Sequence, residues 1–320
     1  MRARIAACFL AVIGWAAVGA AQFQDQAPAG GIRLGDSKTQ RWRCGLTVEA
    51  LGGSCRDIVG YVPFPQDWPE QTVKIVAEDI SKEAKVSYET VDGTVKMMEV
   101  QIRQLASGAE ARALITFEMR RSVILAPQST DGFRLPDKKK LDRKLIHYLG
   151  PSPKIESDNP RIKALAKELP AGKETAWEKV EAIYDWVREK VKYKDGPLKG
   201  ALAALKDGTG DCEELASLFI AICRAADIPA RTVWVPGHCY AEFYLVDGSG
   251  QGHWFPCQAA GTRAFGEIPE QRPILQKGDN FRPPWNKREH QRYLAEYLVG
   301  KPAPNGGQPR VKFFRETVAE

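Results

Sequence analysis

A change of hydrophobic period near residue 130 constrains the fold of this chain more than any other feature. Upstream, from about Arg41 to Pro127, the sequence runs in short β-rich stretches (TVKIVA, KVSYETV, TVKMMEVQI and ARALITFEMRRSVIL) with turn signals at Asp92-Gly93 and Ser107-Gly108. Such a series predicts a β-rich, sandwich-like antiparallel domain over residues 39–130. Beyond Asp131-Gly132 and the basic run DKKKLDRK the period becomes helical. NPRIKALAKEL, with Pro160 near its start, predicts one helix. KETAWEKVEAIYDWVREKV predicts another, because Trp177, Val180, Ile183, Trp186 and Val187 recur at helical spacing, and its aromatics read as core. A third helix is expected from about Asp211 to Ala226, with Leu215, Phe219, Ile220 and Cys223 on its apolar face. Strands return in ARTVWVP, HCYAEFYLV and HWFPC, the last two joined by the turn DGSGQG. The succession predicts an α+β fold with a second domain over residues 150–300.

The two ends of the chain read differently. Arg2 and Arg4, the apolar stretch Ile5–Val18 and the small residues Gly19, Ala20 and Ala21 form an export-signal pattern, so residues 1–21 are expected to be cleaved. The stretch falls short of the roughly 20 residues that span a bilayer, and no later segment is long and apolar enough. A secreted or periplasmic protein without stable membrane insertion is therefore expected. Residues 22–38, polar and Gly-rich, read as a flexible linker, and residues 301–320 as a Pro- and Gly-rich tail. Before the tail, KGDNFRPPWNKREHQRYLAEYLVG suggests a loop and then a terminal helix with a solvated charged face. The net charge of +6 comes from 46 basic and 40 acidic residues spread along the chain, which argues against a nucleic-acid partner. Loss of the leader removes Cys8 and leaves six cysteines. Cys44 and Cys55, close together in CGLTVEALGGSC, are the first candidates for a structural disulfide, the alternative being two separately buried thiols.

Residues 208–258 carry the chemistry: a cysteine at a helix start and a histidine at a strand start. Free N–H groups at a helix N-terminus favour a thiolate at Cys212 and could hold an oxyanion. Asp211, Glu213 and Glu214 oppose this by placing carboxylates beside the sulfur, so an imidazolium partner is needed. His238, directly after Pro236-Gly237, is the best placed of the four histidines. His147 lies at the domain junction, His253 beside the turn and His290 in the expected C-terminal helix. A Cys/His pair lets a thiolate attack a carbonyl carbon while the imidazolium protonates the leaving amine. A zinc site from Cys212, His238, Cys257 and His253 is the metal alternative, but its spacings match none of the usual patterns. Cys239 and Cys257 should point to the opposite side of their strands, into the core, where they could form a disulfide. Cys223, about three turns along the helix, lies too far away to share the site.

The run GDCEELASLFIAICRAADIPA, from Gly210 to Ala230, together with GHCYAEFYL, resembles the core of bacterial transglutaminase-like proteins. The matching positions are Gly210 and Cys212 at the helix start, the stretch from Arg224 to Arg231, and His238 with Glu242. The resemblance extends loosely over residues 150–280, and VPFPQDWPEQTV is similar to domains that accompany such cores. It implies a papain-like fold, with helices packed on an antiparallel sheet, the nucleophile at a helix N-terminus and its base on the sheet. It also implies a third residue, normally Asp in a Trp-x-Pro-x-Asp strand. Here that segment reads Trp254-Phe255-Pro256-Cys257-Gln258. Gln258 can accept a hydrogen bond from the imidazole and orient it, but cannot stabilise imidazolium by charge. Asp247, the nearest other carboxylate in the hairpin, reads as a turn former. The implied activity is cysteine-dependent acyl transfer or hydrolysis on a protein or peptide substrate through an acyl-thioester, with no cofactor required. The alternative is a catalytically weak module that binds a peptide or cell-envelope polymer.

Overall fold

The computed structural model describes residues 31–304 and 306–318, so the expected leader and the first part of the expected linker lie outside the described residues. The N-terminal strands are β1 (Arg33–Ala50), β2 (Cys55–Phe64), β3 (Gln71–Ile80), β4 (Ala84–Val91), β5 (Val95–Leu105) and β6 (Glu110–Leu125). Residues 33–38, expected as linker, are instead the first part of β1, paired with the end of β6. Asp92 and Gly93 take φ of 52° and 72° and close the β4–β5 hairpin, the left-handed geometry that Asp-Gly favours.

The helical segment contains the short α1 (Arg143–Ile146), then α2 (Pro160–Glu168), α3 (Ala176–Lys190), α4 (Ala201–Asp207) and α5 (Cys212–Ala225), with the two-residue strands β7 (Lys192–Tyr193) and β8 (Thr209–Gly210) between them. Asn159 caps α2 ahead of Pro160, and a Thr175–Glu178 capping box starts α3. The sequence predicted one apolar face for α5. In the fold every residue from Glu214 to Arg224 is buried, because α2, α3 and α4 cover the sides that β9 and β10 leave free.

The C-terminal strands are β9 (Ala230–Val235), β10 (His238–Val246), β11 (Gly252–Gln258), β12 (Ala264–Phe265), β13 (Gln276–Lys277), β14 (Tyr297–Pro302) and β15 (Pro309–Thr317). One sheet has the order β15-β1-β6-β3. The other runs β12-β11-β10-β9-β13-β5-β2-β14, with β4 also paired to β5. The four-stranded sheet and the β4, β5 and β2 part of the larger one enclose one core around Leu46, Val48, Phe64, Val100 and Phe117, giving the expected sandwich. Around α5 a second core joins Trp177, Tyr184 and Phe219 to Phe243 and Phe255 on the facing side of the sheet.

Two expectations for the C-terminus are corrected. Among the described residues, the stretch expected as a tail over 301–320 is structured: β14 extends the large sheet through β2, and β15 pairs with β1 from Trp42 to Ala50. The Pro- and Gly-rich composition marks only the turn between them, whereas Val311 and Phe313 alternate onto the sandwich core. The expected terminal helix is irregular chain, clamped by the side chain of Gln276 to both backbone groups of Leu294. Cys44 and Cys55 lie on strands of different sheets as separately buried free thiols, not as a disulfide, and Cys239 and Cys257 are also free.

The sandwich and the helical core therefore share a continuous sheet, joined by β13, with a buried charge network behind it. Lys277 Nζ contacts Glu70 at 2.7 Å and Glu242 at 2.6 Å, and Arg231 meets Glu242 at 2.7 Å. Burial pushes the Glu242 carboxyl up, but Lys277 and Arg231 outweigh it and hold the group down at about 2. Arg224 Nη2 donates to both carboxylate oxygens of Asp279 at 2.8 Å, with both side chains fully buried.

Candidate active site

The start of α5 is fixed by its own sequence. Asp211 is the N-cap and accepts from the Glu213 amide at 2.7 Å, while Glu214 folds back to accept from the Asp211 amide at 3.2 Å. The second Glu214 oxygen accepts from the amides of Lys199 and Gly200. Gly210 is required because a Cβ there would lie 2.4 Å from Glu214 Cβ. Two of the three carboxylates expected to oppose the thiolate are thus directed to backbone amides. The helix presents Cys212, half-buried, at its first residue.

His238 opens β10 after Gly237, whose φ of 69° makes the turn from β9. Its Nε2 lies 3.0 Å from Gln258 Oε1, at the last residue of β11. An amide oxygen on that side requires Nε2 to carry the proton and leaves Nδ1 free to act as a base, with Cys212 close enough to the His238 side chain for each to shift the other's pKa. The three residues predicted from sequence, Cys212, His238 and Gln258, therefore come together in that order. Tyr184 and Arg188 of α3 hold the Gln258 end: Tyr184 Oη donates to the Gln258 carbonyl at 2.7 Å, and Arg188 donates to the carbonyls of Ala259 and Gly261. Sequence periodicity marked α3 as core, and that residue pattern carries no signal for this second task.

The electrostatics favour an ion pair. The Cys212 thiol is pulled down to about 4, first by the thiol of Cys239, then by His238 and the Cys239 amide, against the opposing effect of burial. Burial pulls His238 down, but contact with Cys212 and then Gln258 reverses this, and its pKa is raised. Cys239 does point to the helix side, as predicted. That is the side on which the α5 tip lies, so its thiol and amide face the Cys212 sulfur instead of lying remote from the site.

Other candidates fall elsewhere. Asp247 accepts from the amides of Ser249 and Gln251 and lies 2.8 Å from His253 Nε2, so it shapes the hairpin turn and does not reach His238. Glu242, Arg224 and Arg231 belong to the buried charge network and the Asp279 pair. Cys257 is enclosed in the helix-side core, and His290 is bonded to Asn280. Among the described residues no group of three or more His, Cys, Asp or Glu side chains is placed to hold a metal ion, and the four residues of the zinc alternative do not converge.

Residues 163–259 match the family model of the transglutaminase-like superfamily. No curated protein matches the chain. Among solved structures, one described as a "putative cysteine protease" from Cytophaga hutchinsonii is 17% identical, with a TM-score of 0.57 over 90% of this chain and 93% of that one. At that identity the likeness concerns the fold. The periplasmic domain of TgpA from Pseudomonas aeruginosa is 16% identical over 68% of this chain and 89% of that one, with a TM-score of 0.33, too low to carry an argument. The stretch running from within α2 to just past the end of β11, with Cys212 heading its central helix, is thus the part of this chain that is similar to the transglutaminase-like superfamily.

Proposed function

We propose that this protein is an exported, cysteine-dependent enzyme that transfers or hydrolyses acyl groups at amide or peptide carbonyls. The observation that carries the reading is the placement of His238 between the Cys212 sulfur and Gln258 Oε1. The Cys212 thiolate attacks the carbonyl carbon, and the backbone N–H of Cys212, at the start of α5, stabilises the oxyanion in this reading. As the C–N bond breaks, His238 imidazolium gives its proton to the leaving nitrogen, and the acyl group remains as a thioester. Neutral His238 then takes a proton from water or an amine, whose attack releases a carboxylic acid or a new amide and restores the thiolate. Gln258 keeps the imidazole oriented throughout. No step requires a cofactor, and the substrate is a protein or peptide. Export rests on the pattern of Arg2, Arg4, the apolar stretch and Gly19–Ala21.

The test is release of ammonia from glutamine peptides, and of new termini from longer peptides, with and without an added primary amine. Turnover in the wild type and its loss in Cys212→Ala support the enzyme. The neutral Gln258 favours the second reading, a binding module for a peptide or cell-envelope polymer. Wild-type protein that retains peptide but forms no acyl adduct at Cys212 would establish that reading instead.

A further inference from the structure

Beside Gln258 the fold leaves a cavity of about 270 Å3. The side chain whose Oε1 lies 3.0 Å from His238 Nε2 is thus also a wall of this space. Thr262, Ala264 and Pro269 line it from the chain around β12, and Val123 and Leu125 line it from the end of β6 in the sandwich. The two sides are joined through backbone hydrogen bonds of 3.0 and 2.9 Å exchanged by Ile124 and Ile268. Ile124 is buried in the cluster with Tyr240 and Ile268, so alternation sends Val123 and Leu125 to the opposite side of the strand. Gly35 of β1 makes room for them, since a Cβ there would lie 2.7 Å from Val123 Cγ2 and 3.2 Å from Leu125 Cγ. Leu125 nevertheless stays 37% exposed, an apolar side chain left uncovered within reach of the site. Arg188 fixes the loop opposite by donating to the carbonyls of Ala259 and Gly261. On the rim, the charge of Arg263 is taken up by Glu181 and Asp185, whereas Glu267 has no ion pair among the described residues.

We propose that this cavity receives an apolar side chain of the substrate on the amine side of the bond that Cys212 attacks. It rests on the reading of Cys212 as nucleophile, in which His238 hands its proton to the leaving nitrogen. The leaving segment then passes over the imidazole, and Gln258 is the next side chain beyond it. An imidazole with a hydrogen bond on each side spans roughly 8 Å. An extended peptide covers that length in about two to three residues. The volume is below the roughly 300–1,000 Å3 of cavities that enclose a drug-sized ligand, and suits a single side chain such as leucine or phenylalanine. Its walls are mostly apolar, and the unpaired Glu267 repels an acidic residue there. An incoming amine retraces the path of the leaving nitrogen, so the same cavity selects the acceptor in acyl transfer. The end of β6 thereby makes the sandwich part of substrate recognition.

The probes are the tripeptide amides Gly-Gly-Leu, Gly-Gly-Phe and Gly-Gly-Asp, whose free amine stands for the leaving nitrogen. They are titrated into the intact protein while NMR follows the Leu and Val methyl groups and the histidine rings. The Leu and Phe peptides should shift the Val123 and Leu125 methyls together with the His238 ring, and the Asp peptide should need about tenfold or more higher concentration. Leu125→Asp should remove that preference, and Leu125→Ala should reduce it; the exposed position lets both fold. Val123 and Leu125 methyls that do not move, or that respond equally to the Asp peptide, overturn the proposal. So does a cavity that fills while the His238 ring stays unperturbed, because it then lies off the path of the leaving segment. Iodoacetamide labelling of Cys212 across pH separates this from the underlying reading. A midpoint near that of a free thiol, about 8.5, refutes the nucleophile and the subsite with it, whereas a low midpoint with unmoved methyls refutes the subsite alone.

Discussion

Replacing Gln258 by glutamate keeps the side-chain shape and places a charge where the amide oxygen now lies, 3.0 Å from His238 Nε2. Two unit charges about 4 Å apart at an effective dielectric of about 20 attract by about 4 kcal/mol. Desolvating a carboxylate in this half-buried position, and giving up the existing neutral hydrogen bond, takes back part of that. About 1 to 3 kcal/mol remains, or about one to two pH units on the imidazolium. The long contact from Gln258 Nε2 to the Thr262 carbonyl, 3.5 Å, is also lost, but it is weak. His238 already has a raised pKa, so Gln258→Glu raises it further, and protonated imidazole survives to higher pH. The stability gained with that proton is fully present below the unfolded pKa of histidine and disappears as pH rises through the higher folded value. NMR titration of the His238 ring measures the shift directly, and the alkaline limb of the acylation profile should follow by the same amount. A His238 titration unchanged in Gln258→Glu would refute the claim that Gln258 is its electrostatic and orienting partner.

Cys239→Ala should move the Cys212 labelling midpoint upward, because the Cys239 thiol is the first contributor to its depression; an unmoved midpoint would remove Cys239 from the site. Tyr184→Phe removes the hydroxyl that accepts from the Ala264 amide and donates to the Gln258 carbonyl, which keeps only the longer contact from Arg188, so urea unfolding should show a loss of about 1–3 kcal/mol. Asp279→Ala strands the fully buried Arg224, and the same measurement should show a loss of about 3–5 kcal/mol.

Much of the fold could be read because its signals are local. The period change near 130 and the Asp92-Gly93 turn each rest on local sequence, as do Pro160 and Asp211 at the starts of α2 and α5. Cys212 and His238 were legible because element ends place them, a helix start and a strand start, whereas Gln258, the last residue of β11, was named only through the resemblance, at the position its pattern gives to Asp. What escaped was long-range. Nothing within GGQPRVKFFRET announces that β15 pairs with a strand more than 250 residues earlier, and Pro and Gly nearby dominate a compositional reading. Alternation along β10 placed Cys239 on the correct face but not at the site, since the distance from that face to the α5 tip is a matter of packing. The segment after β13, expected to end in a helix, is held instead by contacts between residues far apart in sequence, among them the clamp of Gln276 on Leu294.

The central claim is that Cys212 and His238 share a thiolate–imidazolium pair, and the most direct measurement is the labelling rate of Cys212 from acid to alkaline pH, in wild type and in His238→Ala. A low-pKa thiolate is also a weaker nucleophile, with a Brønsted slope of about 0.4–0.5 in thiol–disulfide exchange, so the position of the midpoint is the test and the plateau height is not. The account predicts a wild-type midpoint near 4 and an alkaline displacement of about two units or more in His238→Ala. Coincident midpoints near that of an ordinary thiol, about 8.5, in both proteins would contradict it.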